Sequence, residues 1–274
     1  GAEAIYNFLK FKIKKKFIFL NNLKSEPYKK TKKKILSLII SKSGNTLETI
    51  TNFNTQKISK NCIFITQNNN NYLRKIAQKM KCEIIEHKNY IGGRYSVLSE
   101  VGMLPAELMG LNEKKFKQFN YLINNKKFVF NLINNVEGIL QCVKKGKTNS
   151  IILNYDEDSL SLFYWYQQLV AESLGKKSKG ILPIVSQMPK DNHSVMQLYL
   201  DGPKNNFFTF FDALSQKSEK IYKPNLLKSH LYLKNKSINE IIFAQRLATE
   251  KIFQRKKIPF RSFFVQKKRR TNTW

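Results

Sequence analysis

Short β-branched apolar runs alternate along this chain with longer stretches of helical periodicity. That alternation predicts an α/β fold with parallel sheets. Residues 2–12 read as a helix, and Phe17-Ile18-Phe19-Leu20 as a buried strand. Lys29 to Lys34 is a solvated basic connector. Ile35 to Ile40 is a second strand, Ser41 to Thr46 the turn after it, and 47–56 a helix. Cys62 to Thr66 is a strand, 72–80 a helix and Glu83-Ile84-Ile85 a short strand.

A junction follows at Gly92-Gly93-Arg94. Residues 95–110 form an apolar helical stretch interrupted at Pro105, and 113–146 a further helical region. A second alternating set then begins. Its strands are Ile151–Tyr155, Ile181–Val185, Phe207–Phe211 and 260–265, and its helices are 158–173, 193–201 and 238–256. The expected organisation is a first α/β domain over 1–90, a connecting segment over 91–112 and a second α/β domain over 113–265. An unstructured basic tail over 266–274 ends it.

Composition changes this picture in three ways. No apolar run approaches the roughly 18–20 residues that span a bilayer, and no export signal opens the chain. A cytoplasmic protein without a membrane segment is expected. The three cysteines, Cys62, Cys82 and Cys142, are far apart in sequence and lack metal spacing. They read as reduced, structural thiols, and no metal or cofactor is expected. The net charge of +30 taken alone suggests a polyanion partner. The lysines are spread along the chain, however, and Lys, Asn, Ile and Phe are abundant throughout. Compositional drift, with mild steering of an anionic small molecule, accounts for the charge better than nucleic-acid binding does.

Four segments carry candidate chemistry. Ser41-Lys42-Ser43-Gly44-Asn45-Thr46 lies between a strand and a helix, where unpaired N–H groups, the helix dipole and hydroxyls can cradle a phosphate. The same residues also make an ordinary capped turn. In Gly92-Gly93-Arg94-Tyr95-Ser96, backbone freedom sits beside a guanidinium suited to an oxyanion; a surface ion pair is the plainer reading. Gln168 and Glu172 project from one helix face, where Glu172 is either a partly desolvated base or an exposed helix-end residue. His193 is a proton shuttle near neutral pH or an ordinary helix-start residue. His87 and His230 have no carboxylate or cysteine at ligand spacing.

Taken together, four segments resemble the glucose-6-phosphate isomerase family. They are Ser41-Lys42-Ser43-Gly44-Asn45-Thr46-Leu47-Glu48-Thr49, Ile91-Gly92-Gly93-Arg94-Tyr95-Ser96-Val97-Leu98-Ser99-Glu100-Val101-Gly102, Ala171-Glu172-Ser173-Leu174-Gly175-Lys176 and Asp191-Asn192-His193-Ser194. The resemblance covers most of residues 1 to about 265 and implies two three-layer α/β/α sugar isomerase domains with parallel sheets, the first incomplete at its N-terminus. It implies reversible aldose–ketose isomerisation of glucose 6-phosphate and fructose 6-phosphate through an enediolate, in glycolysis and gluconeogenesis, with no cofactor. By position, Ser41, Ser43 and Thr46 with the Lys42 backbone hold the phosphate, and Gln168 contacts the phosphate end. Glu172 is the base, Arg94 with Gly93 stabilises the enediolate, and His193 aids ring opening. A homodimer is implied, with His193 reaching the neighbouring site. The family's N-terminal Gly-Gly-Ser loop and its C-terminal ring-opening lysine have no match here, so an inactive fragment is expected of this chain. A non-catalytic sugar-phosphate-binding protein is the alternative.

Overall fold

The structure is a computed structural model that describes residues 1–23, 35–56, 58, 60–215, 218–221 and 227–267. The Lys29–Lys34 connector and residues 268–274 of the tail lie outside the described residues. The chain divides into two compact units, Gly1–Gln118 and Phe119–Trp274.

The first unit opens with α1 (Ala2–Phe8). It continues with β1 (Ser37–Ile40), α2 (Leu47–Thr55), β2 (Cys62–Thr66), α3 (Tyr72–Met80), β3 (Glu83–Glu86), α4 (Glu100–Leu108) and α5 (Glu113–Phe116). The strands form a parallel sheet in the order β1-β2-β3, with Ile39 opposite Phe64 and Phe64 opposite Ile84. β2 is the central strand, so its Phe64 and Ile65 are fully buried. Leu73 and Ala77 lie four residues apart on α3 and pack with Ile39 and Phe64, as helical spacing requires.

The second unit holds α6 (Asn120–Asn124), α7 (Lys126–Lys144), β4 (Asn149–Asn154), α8 (Leu160–Leu174), β5 (Leu182–Gln187), α9 (Met196–Asp201), β6 (Asn206–Ser215), α10 (Ile238–Arg255) and β7 (Phe260–Lys267). Its sheet is again parallel, in the order β5-β4-β6-β7. The central strands are buried on both faces, as covered parallel strands must be: Ile151, Leu153, Phe208 and Phe210 pack with Phe253 of α10 on one face, and Ile152, Phe207 and Phe211 are buried on the other, among Ser150, Asn154 and Thr209. Phe253 meets Phe208 and Phe210 edge-on, at 4.8 and 5.3 Å between ring centroids. The expected α/β class with parallel sheets and flanking helices is therefore observed.

Several sequence expectations need correction. Phe17 to Leu20 is not a strand, and Ile18 is exposed. Phe17 and Phe19 instead pack against Tyr6 of α1, each at 5.6 Å. The Asn52 side chain donates to the carbonyls of Leu20 and Asn22, taking the place of a sheet ladder. Pro105 does not interrupt its helix but lies buried inside α4. It forfeits only one intrahelical hydrogen bond, and burial offsets that loss. The helical region over 113–146 is three helices, because Asn112 and Asn125 side chains cap new starts by accepting from Lys114 and Phe128 N–H. The helix expected from residue 193 begins at Met196, after a tight turn over Lys190–Asn192. β7 runs on through Gln266 and Lys267, which had been assigned to the tail. Cys62 and Cys82 are not apart in space: their sulfurs are 2.8 Å from each other.

Candidate functional site

In a parallel sheet the loops leaving the strands share one edge, the usual location of a ligand crevice. In the first unit that edge carries Ser41–Thr46 after β1 and residues 87–99 after β3. Ser41 is buried, and its hydroxyl shares a 2.7 Å hydrogen bond with that of Thr46. Its N–H donates to the Ile65 carbonyl, which extends the β1–β2 ladder by one rung. Ser43 is exposed, and its hydroxyl accepts from the Asn45 N–H at 3.2 Å. Thr46 stands before α2 without capping it through its side chain.

Gly44 is the fixed point of this turn. Its φ is +67°, and a Cβ there would lie 1.9 Å from the Asn71 side-chain oxygen. Asn71 is buried and caps α3 by accepting from the Arg74 N–H. The Asn45 side chain accepts from the Tyr72 N–H beside it. The loop after β1 and the start of α3 are thus one interlocked structure. Gly44→Ala is expected to cost about 2–4 kcal/mol, from left-handed strain plus a displaced cap. Denaturant unfolding checks this, and a loss below about 0.5 kcal/mol would contradict it.

Lys42 joins this loop to the glycine-rich segment. Its ammonium donates to the Ile91 carbonyl at 2.7 Å and the Asn89 carbonyl at 3.1 Å. The sequence offered Lys42 as a backbone donor to an anion; its side chain does a different job, which no sequence signal announced. Lys42→Met should lower stability by about 1–2 kcal/mol, discounted for partial exposure. A change within about 0.3 kcal/mol in denaturant unfolding would contradict that role.

The Gly93–Leu98 segment is a tight helical turn held by the Ser96 hydroxyl, which donates to the Gly93 carbonyl at 2.7 Å. A Cβ on Gly93 would meet nothing within 4 Å, so no neighbour in the fold demands glycine there. Arg94 is half-buried, with its guanidinium 4.7 Å from the Tyr95 ring centroid. Buried His87 and partly exposed Glu100 bracket the segment, His87 Nδ1 lying 2.6 Å from Glu100 Oε1 without hydrogen-bond alignment.

In the second unit, Gln168 donates to the Glu172 carboxylate at 2.8 Å, so the two do share a helix face. Both are exposed within the unit. α8 is pinned to the sheet by Gln167, whose amide donates to the Pro183 carbonyl at 2.6 Å. His193 is exposed on the turn after β5. Asp191 organises that turn, accepting from the Gln187 N–H at 2.8 Å and the Ser194 hydroxyl at 2.9 Å. α8 packs on β5 and returns the chain from the carboxyl edge of the sheet to its amino edge. Glu172, near the end of α8, and His193, after β5, are therefore at opposite edges. Six strand residues separate those edges by about 20 Å. Among the described residues no group of three or more His, Cys, Asp or Glu could hold a metal ion. No described helix is long and apolar enough to cross a membrane.

No family model matches the chain. The glucose-6-phosphate isomerase of Methanocaldococcus jannaschii is 36% identical over 189 residues, covering 64% of this chain and 46% of that protein. The glucose-6-phosphate isomerase of Campylobacter jejuni is 31% identical over 269 residues, covering 86% of this chain and 63% of that protein. The chain is a homologue of the glucose-6-phosphate isomerases. It spans between 46% and 63% of the length of these two isomerases. A hypothetical protein of Thermus thermophilus, TT0462, shares the fold with a TM-score of 0.79 at 21% identity, over 96% of this chain and 70% of that one. A glucose-6-phosphate isomerase from Chlamydia trachomatis has a TM-score of 0.54 at 18% identity, over 80% and 45% respectively.

Proposed function

We propose that this chain carries the sugar-phosphate site of an aldose–ketose isomerase that interconverts glucose 6-phosphate and fructose 6-phosphate, within two three-layer sugar isomerase domains. The observation that carries the reading is the Lys42 bridge. It holds a hydroxyl-rich loop at a helix start beside the Gly92-Gly93-Arg94 turn, as an anion cradle next to an oxyanion-stabilising cation requires.

Ser41, Ser43, Thr46 and the Lys42 backbone hold the phosphate. Glu172 takes the proton from the carbon beside the carbonyl and returns it to the neighbouring carbon. Gln168 fixes that carboxylate through its hydrogen bond and is assigned, by family resemblance, a contact with the substrate's phosphate. One carbon is oxidised as the other is reduced, so the electrons stay within the sugar. Arg94, with the Gly93 N–H, offsets the charge of the enediolate; one such donor is worth roughly 3–4 kcal/mol in a dry site. His193 assists ring opening. The opposite placement of Glu172 and His193 in the second unit supports a two-copy site, with His193 supplied by a neighbouring subunit of a homodimer.

The test is turnover of fructose 6-phosphate by the purified chain, followed together with sugar-phosphate binding by calorimetry. The isomerase reading expects both. Binding with no turnover would overturn it in favour of a non-catalytic sugar-phosphate-binding protein.

A further inference from the structure

Cys62 opens the central strand β2, and Cys82 immediately precedes β3. β2 and β3 run parallel with Ile63 opposite Glu83, so one step back along that register brings Cys62 opposite Cys82. Residues paired this way present their side chains to the same face of a sheet. The two sulfurs are 2.8 Å apart, within about 1 Å of the roughly 2.05 Å of a disulfide bond. Cys62 is buried and Cys82 is partly exposed. The Cys82 sulfur also lies 3.5 Å from the Lys60 carbonyl oxygen, at the strand's entry.

We propose that Cys62 and Cys82 are a dithiol modification site that closes to an intramolecular disulfide by exchange with a low-molecular-weight disulfide. The Cys82 thiolate attacks one sulfur of the small disulfide, whose S–S bond breaks and releases a first small thiolate. The Cys62 sulfur, losing its proton, then attacks the Cys82 sulfur of the mixed disulfide and releases the second. The protein dithiol is oxidised, the small disulfide is reduced to two thiols, and these take up the two protons the cysteines lose.

The order follows from access and acidity. Burial, reinforced by the hydrogen bond and charge of Cys82, pushes the Cys62 thiol up to about 12. The thiolate is the attacking form, so the more exposed Cys82 reacts first and Cys62 resolves. The pair sits at the entry of β2 and β3, the edge opposite the Ser41–Thr46 loop, and the bond would close the loop containing β2 and α3. Its chemistry is independent of the isomerase reading.

The test incubates the native chain with oxidised glutathione, followed by acid quench, alkylation in denaturant and peptide mass mapping. Cys142, on α7, is the internal control. The expected result is a loss of two hydrogen masses, a linked Cys62–Cys82 peptide, and alkylation of Cys142 alone, all reversed by dithiothreitol. In Cys82→Ser, Cys62 should remain alkylatable. A glutathione adduct that persists on Cys82, full alkylation of the three cysteines, or a bond to Cys142 would each overturn the proposal.

Discussion

Replacing Glu172 by Gln is expected to lower kcat for fructose 6-phosphate by about 10²–10⁴-fold, the usual contribution of a positioned general base. KM should change by no more than a few-fold, because the substitution removes no phosphate contact. The change is nearly isosteric, and Glu172 is exposed on α8. The helix is anchored elsewhere, through Gln167 and the Pro183 carbonyl, so stability should be preserved. A glutamine cannot take a proton from carbon. An unchanged kcat would place the base on another residue and remove the chemical role of the Gln168–Glu172 pair.

The largest stability effect is expected at Arg246. Its side chain is almost wholly buried, 3.3 Å from Asp212 Oδ2 and 2.6 Å from Glu250 Oε1. Its guanidinium lies 4.0 Å from the Phe264 ring centroid, and the Ser262 hydroxyl donates to the same Glu250 oxygen at 2.6 Å. One cation thus ties α10 to β6 and β7. Arg246→Ala leaves a buried carboxylate without its counter-charge, which costs about 3–5 kcal/mol; denaturant unfolding reads this directly.

The loss should also depend on pH. Burial already holds the Asp212 carboxyl above its ordinary value, and Arg246 opposes that rise. Without Arg246 the folded-state value climbs further. A carboxyl raised in the folded state costs stability as pH rises from its unfolded value through its folded one. The variant's deficit should therefore grow from acid toward neutral pH and shrink below the ordinary carboxylate range. A pH-independent loss, or one under about 1 kcal/mol, would contradict this account of the cluster.

What the sequence made legible was local. The runs Cys62–Thr66 and 72–80 are found as a strand and a helix with those bounds, because burial in a parallel sheet and helical periodicity both leave plain marks. Phe17-Ile18-Phe19-Leu20 misled for the same reason: an apolar run does not say whether its backbone pairs with a strand or with one asparagine. The hydroxyl-rich loop and the Gln168–Glu172 face were visible from spacing alone. The Lys42 tether was not, since one lysine among many carries no mark of its partner carbonyls. Arg246 was half legible: Glu250 stands four residues further along α10, a local pairing, but only the tertiary fold brings Asp212 and the Phe264 ring to it. Cys62 and Cys82 became neighbours through strand register, which sequence separation does not encode.

The most direct test of the central claim is incorporation of solvent deuterium at C1 of fructose 6-phosphate in D2O, observed by NMR. It reports proton transfer at carbon whether or not the sugar ring is opened efficiently by the protein. The account predicts exchange catalysed by the wild-type chain and reduced to near the uncatalysed rate by Glu172→Gln. Exchange undiminished in Glu172→Gln, or no exchange by a wild-type chain that binds the sugar phosphate, would contradict it.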